Sequence, residues 1–380
     1  MDFSWTSEQQ AYRARIRALL ERELPQDWFE NHARGLGSRE QIEYSKIFCP
    51  KLAAAGLLVP HWPKQYGGED STPWDQFILS EEMWTYLEPR GPQYMNTNWI
   101  GPALIKFGTP AQKAEHLPRI ASGNVIWCQG FSEPQAGTDL AALRTHAERQ
   151  GDVYVINGNK IWTSYAYMAD WCFLLARTSS SRKSISIFLV PMNSPGVQVT
   201  PFPGLTAPGH LNEVFLTDVK VPVDSRVGEE GGAWPIITYA LSYERVGAPR
   251  YHWCRCMLDI AIDQMQREGT FDVAAQTEAG KIAAKLEVAK VMTYAVVNER
   301  VRGVEGTDST TPNVQRVIAA DAVNDVMSFL MDYVPDCLTG GNRYNGSSFR
   351  EQIPGPIAGG AYELQLDLIA RRGLELPRGS

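Results

Sequence analysis

The stretch Trp127-Cys128-Gln129-Gly130-Phe131-Ser132-Glu133-Pro134-Gln135-Ala136-Gly137-Thr138-Asp139 is where the chain changes its periodicity. Before about Val125, apolar side chains recur at helical spacing; after it they come in short alternating or continuous runs that suit strands. The stretch itself sets small and hydroxyl residues around glycines, which would let backbone approach a ligand closely. A strand followed by an S-E-P turn and a helix cap explains the same letters.

Upstream, Tyr12, Ile16, Leu19 and Leu20 define a helix from Thr6 to about Leu24, capped by Thr6 or Ser7 and closed by Pro25. Helical patterns continue through Ile42–Ala55, Trp74–Trp84, Asn98–Phe107 and Pro110–Ile120. Downstream, strands are read at Val153–Ile156, Trp171–Ala176, Ser184–Pro191 and Glu213–Val221. Asn157-Gly158 reads as a two-residue hairpin turn, because a type I′ turn needs positive φ at both positions. After Gly231-Gly232 the helical period returns, with long helices from about Ala233 to Glu268, Ala275 to Val301 and Pro312 to Met331. A loop over Asp336–Gly359 and a last helix from about Ala361 to Arg372 complete the chain. The expectation is an α+β protein: an all-α domain over 1–122, a β domain over 123–230 and a second all-α domain over 231–378.

A net charge of −7 over 380 residues disfavours a phosphate-backbone partner, so no nucleic acid is expected. No 18-residue apolar run and no cationic leader occur, and six scattered cysteines read as reduced thiols. A cytoplasmic protein with no membrane span follows. The six histidines are isolated, and Walker, zincin and serine-hydrolase motifs are absent, so no metal is expected.

Two further features carry chemistry. Asn157-Gly158-Asn159-Lys160-Ile161-Trp162-Thr163-Ser164 ends in two hydroxyls beside a tryptophan, which suits a planar heteroaromatic ring; alone it is only a hairpin. Glu244 falls on an apolar helical stripe with Ile237, Ala240, Leu241, Gly247, Ala248 and Tyr251. Burial there would raise its pKa toward the range where a general base works. Structural pairing with Arg245 or a distant arginine is the competing reading.

Together these segments resemble the acyl-CoA dehydrogenase family. The pattern runs as F-S-E-P-Q-A-G-T-D (131–139), N-G-N-K-I-W-T-S (157–164), Y-E-R (243–245) and E-L-Q-L-D-L-I-A-R (363–371) with L-P-R (376–378). G-L-L-V-P-H-W-P-K-Q-Y-G-G (56–68) and F-G-T-P-A-Q-K (107–113) extend it over nearly the whole chain. The resemblance implies a helical N-terminal domain, a β-barrel-like middle domain and a C-terminal domain of four-helix-bundle type. It also implies an FAD enzyme that removes the α proton and β hydride of an acyl-CoA to give a 2,3-enoyl-CoA, and passes electrons to an electron-transfer flavoprotein. Gln129, Gly130, Phe131, Ser132, Trp162, Thr163 and Ser164 would line the isoalloxazine, with Ser164 near N5 and Thr138 by the phosphates. Gly360 and Glu363 would complete the cofactor set, and Thr138, Tyr243 and Arg245 the substrate set.

Two departures from the family pattern matter. Where many members carry the base before the last helix, this chain has Gly359; a minority place it beside the arginine of the helix opening the C-terminal domain, which is Glu244 here. The R-x-x-F-G and Q-I-x-G-G segments that usually serve a neighbouring subunit's FAD read Arg267-Glu268-Gly269-Thr270-Phe271-Asp272 and Asp336-Cys337-Leu338-Thr339-Gly340-Gly341. Both points suit the base-bearing subunit of a two-plus-two hetero-oligomer (α2β2), a branch found in bacterial steroid side-chain degradation; a homotetramer is the other possibility. A flavin oxidase or monooxygenase and a non-catalytic partner subunit are the rival functions on the same fold.

Overall fold

The computed structural model describes residues 4–29, 35, 37–181, 184–205, 209–247, 249–304, 309–338, 349–353 and 355–377, with the side chains of 242–247, 337 and 338 outside that description. Its first helices are α1 (Ser7–Glu23), α2 (Arg39–Ala54), α3 (Pro73–Thr85), α4 (Gln93–Met95), α5 (Gly101–Phe107) and α6 (Pro110–Ala121). Strands follow as β1 (Trp127–Gly130), β2 (His146–Gln150), β3 (Val153–Lys160), β4 (Trp171–Arg177), β5 (Ile185–Pro191), β6 (Val197–Pro201), β7 (Asn212–Pro222) and β8 (Arg226–Val227). Helices α7 (Ala233–Gly247), α8 (Arg250–Glu268), α9 (Val273–Val301), α10 (Thr311–Tyr333) and α11 (Tyr362–Leu368) complete it. None of the described helices is long and apolar enough to cross a membrane.

Local chemistry fixes most helix starts. Thr6, Thr72 and Thr109 each accept a backbone N–H three residues on, while Gln9, Asp75 and Gln112 reach back to the cap's own N–H. Such capping boxes contribute about 1 kcal/mol each and satisfy two otherwise orphaned donors. The helix expected across 233–268 is two helices. Pro249 separates α7 from α8, because it has no N–H to donate and its ring disfavours a helical residue before it. Position 251 therefore does not continue the stripe of α7.

Contacts divide the chain into two units. The first gathers residues 1–35, 71–89 and 244–380, hence α1, α3 and α8 to α11. Its interior is polar where α1 meets α3. Glu82, 1% exposed, receives Arg13 and, at 2.7 Å, the Nε of Arg17, while Glu81 takes Arg13 at 2.6 Å and the hydroxyl of Tyr251 at 2.5 Å. Two buried carboxylates tolerate desolvation only because each is paired and hydrogen-bonded. Beside them Trp5, Trp74, Phe77 and Tyr294 pack mostly edge to face, with the Arg13 guanidinium 5.0 Å from the Trp5 ring centre.

The second unit holds residues 36–70 and 90–243: α2, α4 to α6, the sheet and the start of α7. Its eight strands form one mixed sheet ordered β6-β7-β3-β2-β4-β5-β8, with β1 parallel to β4. Tyr154, Ile156, Leu174, Phe188, Val190, Val214 and Val219 share the core on one face. A π-helical turn at Asn96–Ile100, between α4 and α5, aims Asn96 at β1: its amide donates to the Val125 carbonyl at 2.8 Å and accepts the Trp127 N–H at 3.2 Å. The G-L-L-V-P-H-W-P-K-Q-Y-G-G segment serves this packing. A Cβ at Gly68 would lie 1.9 Å from the Trp62 carbonyl, and one at Gly101 would lie 2.0 Å from the Trp62 ring.

The hairpin expected at Asn157-Gly158 lies elsewhere. The two-residue turn is Gly151-Asp152, between the paired Gln150 and Val153, with Gly151 at φ +64°. Asn157-Gly158 is instead taken into β3 at a bulge against β7. Asn157 exchanges hydrogen bonds with Asp218 across that bulge, and Gly158 passes so close to Thr145 that a Cβ would sit 2.3 Å from its hydroxyl. The glycine is needed for close approach rather than for a turn.

Candidate functional site

Within the second unit, the two segments singled out from the sequence are laced together. β1 presents Gln129, whose side-chain oxygen accepts the Trp99 indole N–H at 2.9 Å. Phe131 is buried at the end of that strand, and its ring lies 6.3 Å from Phe173. The Ser132 carbonyl accepts the Ile161 N–H at 3.0 Å, and the Phe131 carbonyl accepts the Lys160 ammonium at 3.2 Å. Gly130 has a packing reason of its own: a Cβ there would meet Cys172 Sγ and Leu174 at 2.8 Å. Gly137 and Thr138 are exposed, with open space around the glycine.

The Trp162-Thr163-Ser164 segment is strained and clamped. Trp162 has φ +59° and Tyr165 φ +64°, conformations that cost bulky residues on the order of 1–3 kcal/mol each and cluster where function requires them. The Thr163 N–H donates to the Asn212 carbonyl at 3.0 Å, and the Asn212 amide donates back to the Thr163 carbonyl at 3.0 Å. The Tyr165 N–H donates to the His210 carbonyl at 2.9 Å. Held this way, Trp162 stands 58% exposed with Phe202 edge-on at 5.2 Å. Thr163 is fully buried, and among the described residues its hydroxyl has no hydrogen-bond partner. An exposed aromatic two residues before the half-buried hydroxyl residue Ser164 can cover a flat ring and bond its edge. His210, packed on the Tyr165 ring at 5.2 Å, is pushed down to about 4 by burial.

Sequence reasoning missed Glu133 and Lys160 in this unit. Lys160 is 0% exposed, and its ammonium lies 2.8 Å from Glu133. Burial drives Lys160 down to about 8, against the pull of Glu133. Burial alone would raise Glu133, but Lys160 and the amides of Arg144 and Thr145 hold it below the usual carboxylate range. The letters S-E-P and N-K-I gave only the residue types; the pairing joins positions 27 apart in sequence.

The remaining candidates fall on α7 and in the first unit. Tyr243, Glu244 and Arg245 occupy the last turns of α7, and their side chains lie outside the described residues. Position 244 is four and seven residues beyond Ala240 and Ile237, each 1% exposed. Gly359 (φ +74°) and Gly360 (φ +107°) are both left-handed, so a side chain at either is strained. Glu363 is exposed in the first turn of α11. Arg316, also missed, holds the preceding loop by donating to the carbonyls of Gly355 and Ala358. Of the segments expected to serve a neighbouring flavin, Phe271 accepts the side-chain amide of Gln276, in the first turn of α9, on its carbonyl at 2.9 Å, and residues 339–341 lie outside the described residues. The five cysteines whose side chains are described are free thiols.

Comparison with known proteins places the chain in a family. Residues 6–124 match the acyl-CoA dehydrogenase N-terminal domain, and residues 128–219 the acyl-CoA dehydrogenase middle domain. Acyl-CoA dehydrogenase IpdE1 of Mycolicibacterium smegmatis is 31% identical over 396 residues, 98% of each chain. The chain belongs to the acyl-CoA dehydrogenase family. Its members are flavin-dependent oxidoreductases acting on CH–CH bonds, and this chain has their fold: helical N-terminal domain, sheet middle domain, helical C-terminal region. Acyl-CoA dehydrogenase IpdE1 of Mycobacterium tuberculosis is 39% identical over 241 residues, 62% of each chain, a match that spans less than two thirds of that relative. Among solved structures, the Tcur3481-Tcur3483 steroid ACAD superimposes with a TM-score of 0.90 at 27% identity, over all of both chains. The ChsE4-ChsE5 complex from Mycobacterium tuberculosis does so at 0.87 and 29%, again over both whole chains.

Proposed function

We propose that this chain is the base-bearing subunit of an FAD-dependent acyl-CoA dehydrogenase that forms a 2,3-enoyl-CoA. The observation that carries the reading is the Trp162–Ser164 segment: strained backbone, two-way clamping by Asn212, an exposed indole and a half-buried Ser164. That donor set fits a flavin ring, whose edge needs hydrogen bonds and whose face needs cover. Gln129, Gly130, Phe131, Ser132 and Trp162 to Ser164 would hold the ring, Thr138 the phosphates, and Gly360 and Glu363 the rest of the cofactor. Bound FAD supplies a two-electron acceptor for the β hydride.

The protein's own part is proton chemistry and positioning. Glu244 removes the α proton, with Tyr243 and Arg245 flanking it and Thr138 on the substrate side. A thioester α proton is far too weakly acidic for an unassisted carboxylate, so the carbonyl must meet fixed donors where water is excluded. Backbone N–H groups of the Gly359–Ala361 segment, fixed through Arg316, are suited to that role. The absence of a side chain at Gly359 leaves room for a bulky acyl group, and relatives that include a steroid ACAD support a polycyclic one. The two-component Tcur3481-Tcur3483 and ChsE4-ChsE5 assemblies support a second dehydrogenase subunit here. Electron-transfer flavoprotein is the proposed acceptor, in the cytoplasm.

The test is Glu244→Gln, co-expressed with a partner dehydrogenase subunit and titrated anaerobically with acyl-CoAs. Flavin bleaching should be lost while FAD absorbance and folding persist, since the amide keeps the volume and loses only the basic lone pair. Bleaching above a tenth of wild type moves the base elsewhere. Full activity with the flavin held wholly by the partner makes this chain the non-catalytic subunit.

A further inference from the structure

Lys160 and Glu133 form a buried ion pair whose placement is unusual. Lys160 ends β3, directly before Ile161-Trp162-Thr163; Glu133 follows Phe131-Ser132. Each partner is thus rooted in one of the two segments that the proposed function assigns to the flavin. The pair is also richly hydrogen-bonded. Glu133 accepts the Lys160 ammonium and the Thr145 N–H (2.9 Å) on one oxygen, and the Arg144 N–H (2.5 Å) and Gln135 amide (2.7 Å) on the other. Lys160 spends a second proton on the Phe131 carbonyl at 3.2 Å.

That last bond sets direction. In a trans peptide the N–H lies opposite the carbonyl, so drawing the Phe131 carbonyl toward Lys160 turns the Ser132 N–H away from it. The Ser132 carbonyl is drawn to Ile161 N–H in turn, so two successive peptide planes are fixed by the neighbouring segment. Gly130 lies beside the Lys160 stem, where a Cβ would make ordinary contact with Lys160 Cγ at 3.6 Å; it is Cys172 and Leu174, at 2.8 Å, that require the glycine. Stability does not by itself explain such a pair, because apolar residues of similar volume are often as stabilising in its place.

We propose that Lys160 and Glu133 are positioning residues for the flavin: by locking Phe131-Ser132 to Trp162-Thr163-Ser164 they set the affinity and the spectrum of the bound FAD. The inference rests on the flavin reading above, so the experiment keeps the two apart. Wild type, Lys160→Met, Glu133→Gln and the double variant are co-expressed with the partner subunit. Thermal unfolding, FAD dissociation constant, the visible flavin band and the flavin midpoint potential are measured on each. The single variants, each with one uncompensated buried group, should lose both stability and FAD. The double variant has no unpaired charge; it should recover thermal stability, yet bind FAD at least tenfold more weakly, with a shifted band and potential.

A double variant that matches wild type in affinity, band and potential shows mere charge balance and overturns the proposal. Should the double variant fail to fold, Glu133→Asp decides: it keeps both charges and shortens the reach by one methylene, so FAD affinity should fall about tenfold, and unchanged affinity overturns the proposal. A wild-type complex that takes up no FAD overturns the flavin reading itself, and this proposal with it.

Discussion

Acid should loosen the Trp162 segment through His210. Its side chain is held neutral, with burial pushing its pKa down to about 4, whereas the unfolded chain would titrate near about 6.5. Between those values the unfolded state binds the extra proton, so stability is fully present above about pH 6.5 and falls as pH drops toward about 4. A shift of about 2.5 units at about 1.36 kcal/mol per unit sets a ceiling of about 3.4 kcal/mol, and the linkage integral puts about 2 kcal/mol of loss by pH 5. The strain has nowhere to go locally, because His210 packs on the Tyr165 ring and lies where any side chain on Gly37 would collide with it, its Cγ 2.4 Å from such a Cβ. Urea unfolding at pH 7.5, 6 and 5 measures the loss. His210→Gln removes the titrating ring and keeps the backbone carbonyl that accepts the Tyr165 N–H, so its stability should vary less with pH by about 2 kcal/mol over that range. His116 and His252, both lowered chiefly by burial, add a slope common to both proteins that cancels in the difference. Parallel curves for wild type and His210→Gln would refute the reasoning.

Two further outcomes follow from single atoms. Thr163→Val removes a buried hydroxyl that has no partner among the described residues, so the flavin-free protein should unfold at the same or higher urea, by up to about 1 kcal/mol; a lower urea midpoint would show that the hydroxyl is bonded. Gly101→Ala drives a methyl to 2.0 Å from the Trp62 ring, which should cost about 1–3 kcal/mol in thermal unfolding, and a neutral effect would show that the indole can swing aside.

The parts of this molecule that were legible in its sequence are those whose cause is local. Thr6, Thr72 and Thr109 announce their helices because a cap and its partner are three residues apart. Family motifs did the same for the two loops of the candidate site. Apolar periodicity on both sides of Pro249 predicts one helix where the proline makes two, and Asn157-Gly158 carries a turn signal that the chain answers at Gly151-Asp152. What could not be read is pairing at a distance. Lys160 finds Glu133 across 27 positions, and Arg316 finds the carbonyls of Gly355 and Ala358 across 39 and 42. Nothing in the neighbourhood of a lysine in a strand shows that it points inward; only the sheet's register and the chain returning beside it decide that.

The unit that unites α1 and α3 with α8 to α11 is assembled from segments that precede and follow the sheet in sequence, and this sets an order on its making. Every residue of the sheet-bearing unit has been polymerised by Tyr243, whereas the hydroxyl that Glu81 accepts belongs to Tyr251, 170 positions downstream. At about 5–20 residues per second the ribosome needs about 9 to 34 s to deliver it. During that interval the Glu81 carboxylate can hold only its arginine, and the apolar side of α3 has no helical wall to lie against. The sheet has every strand in hand before the first two helices of the other unit can close, so α1 and α3, synthesised before the sheet, are sealed after it.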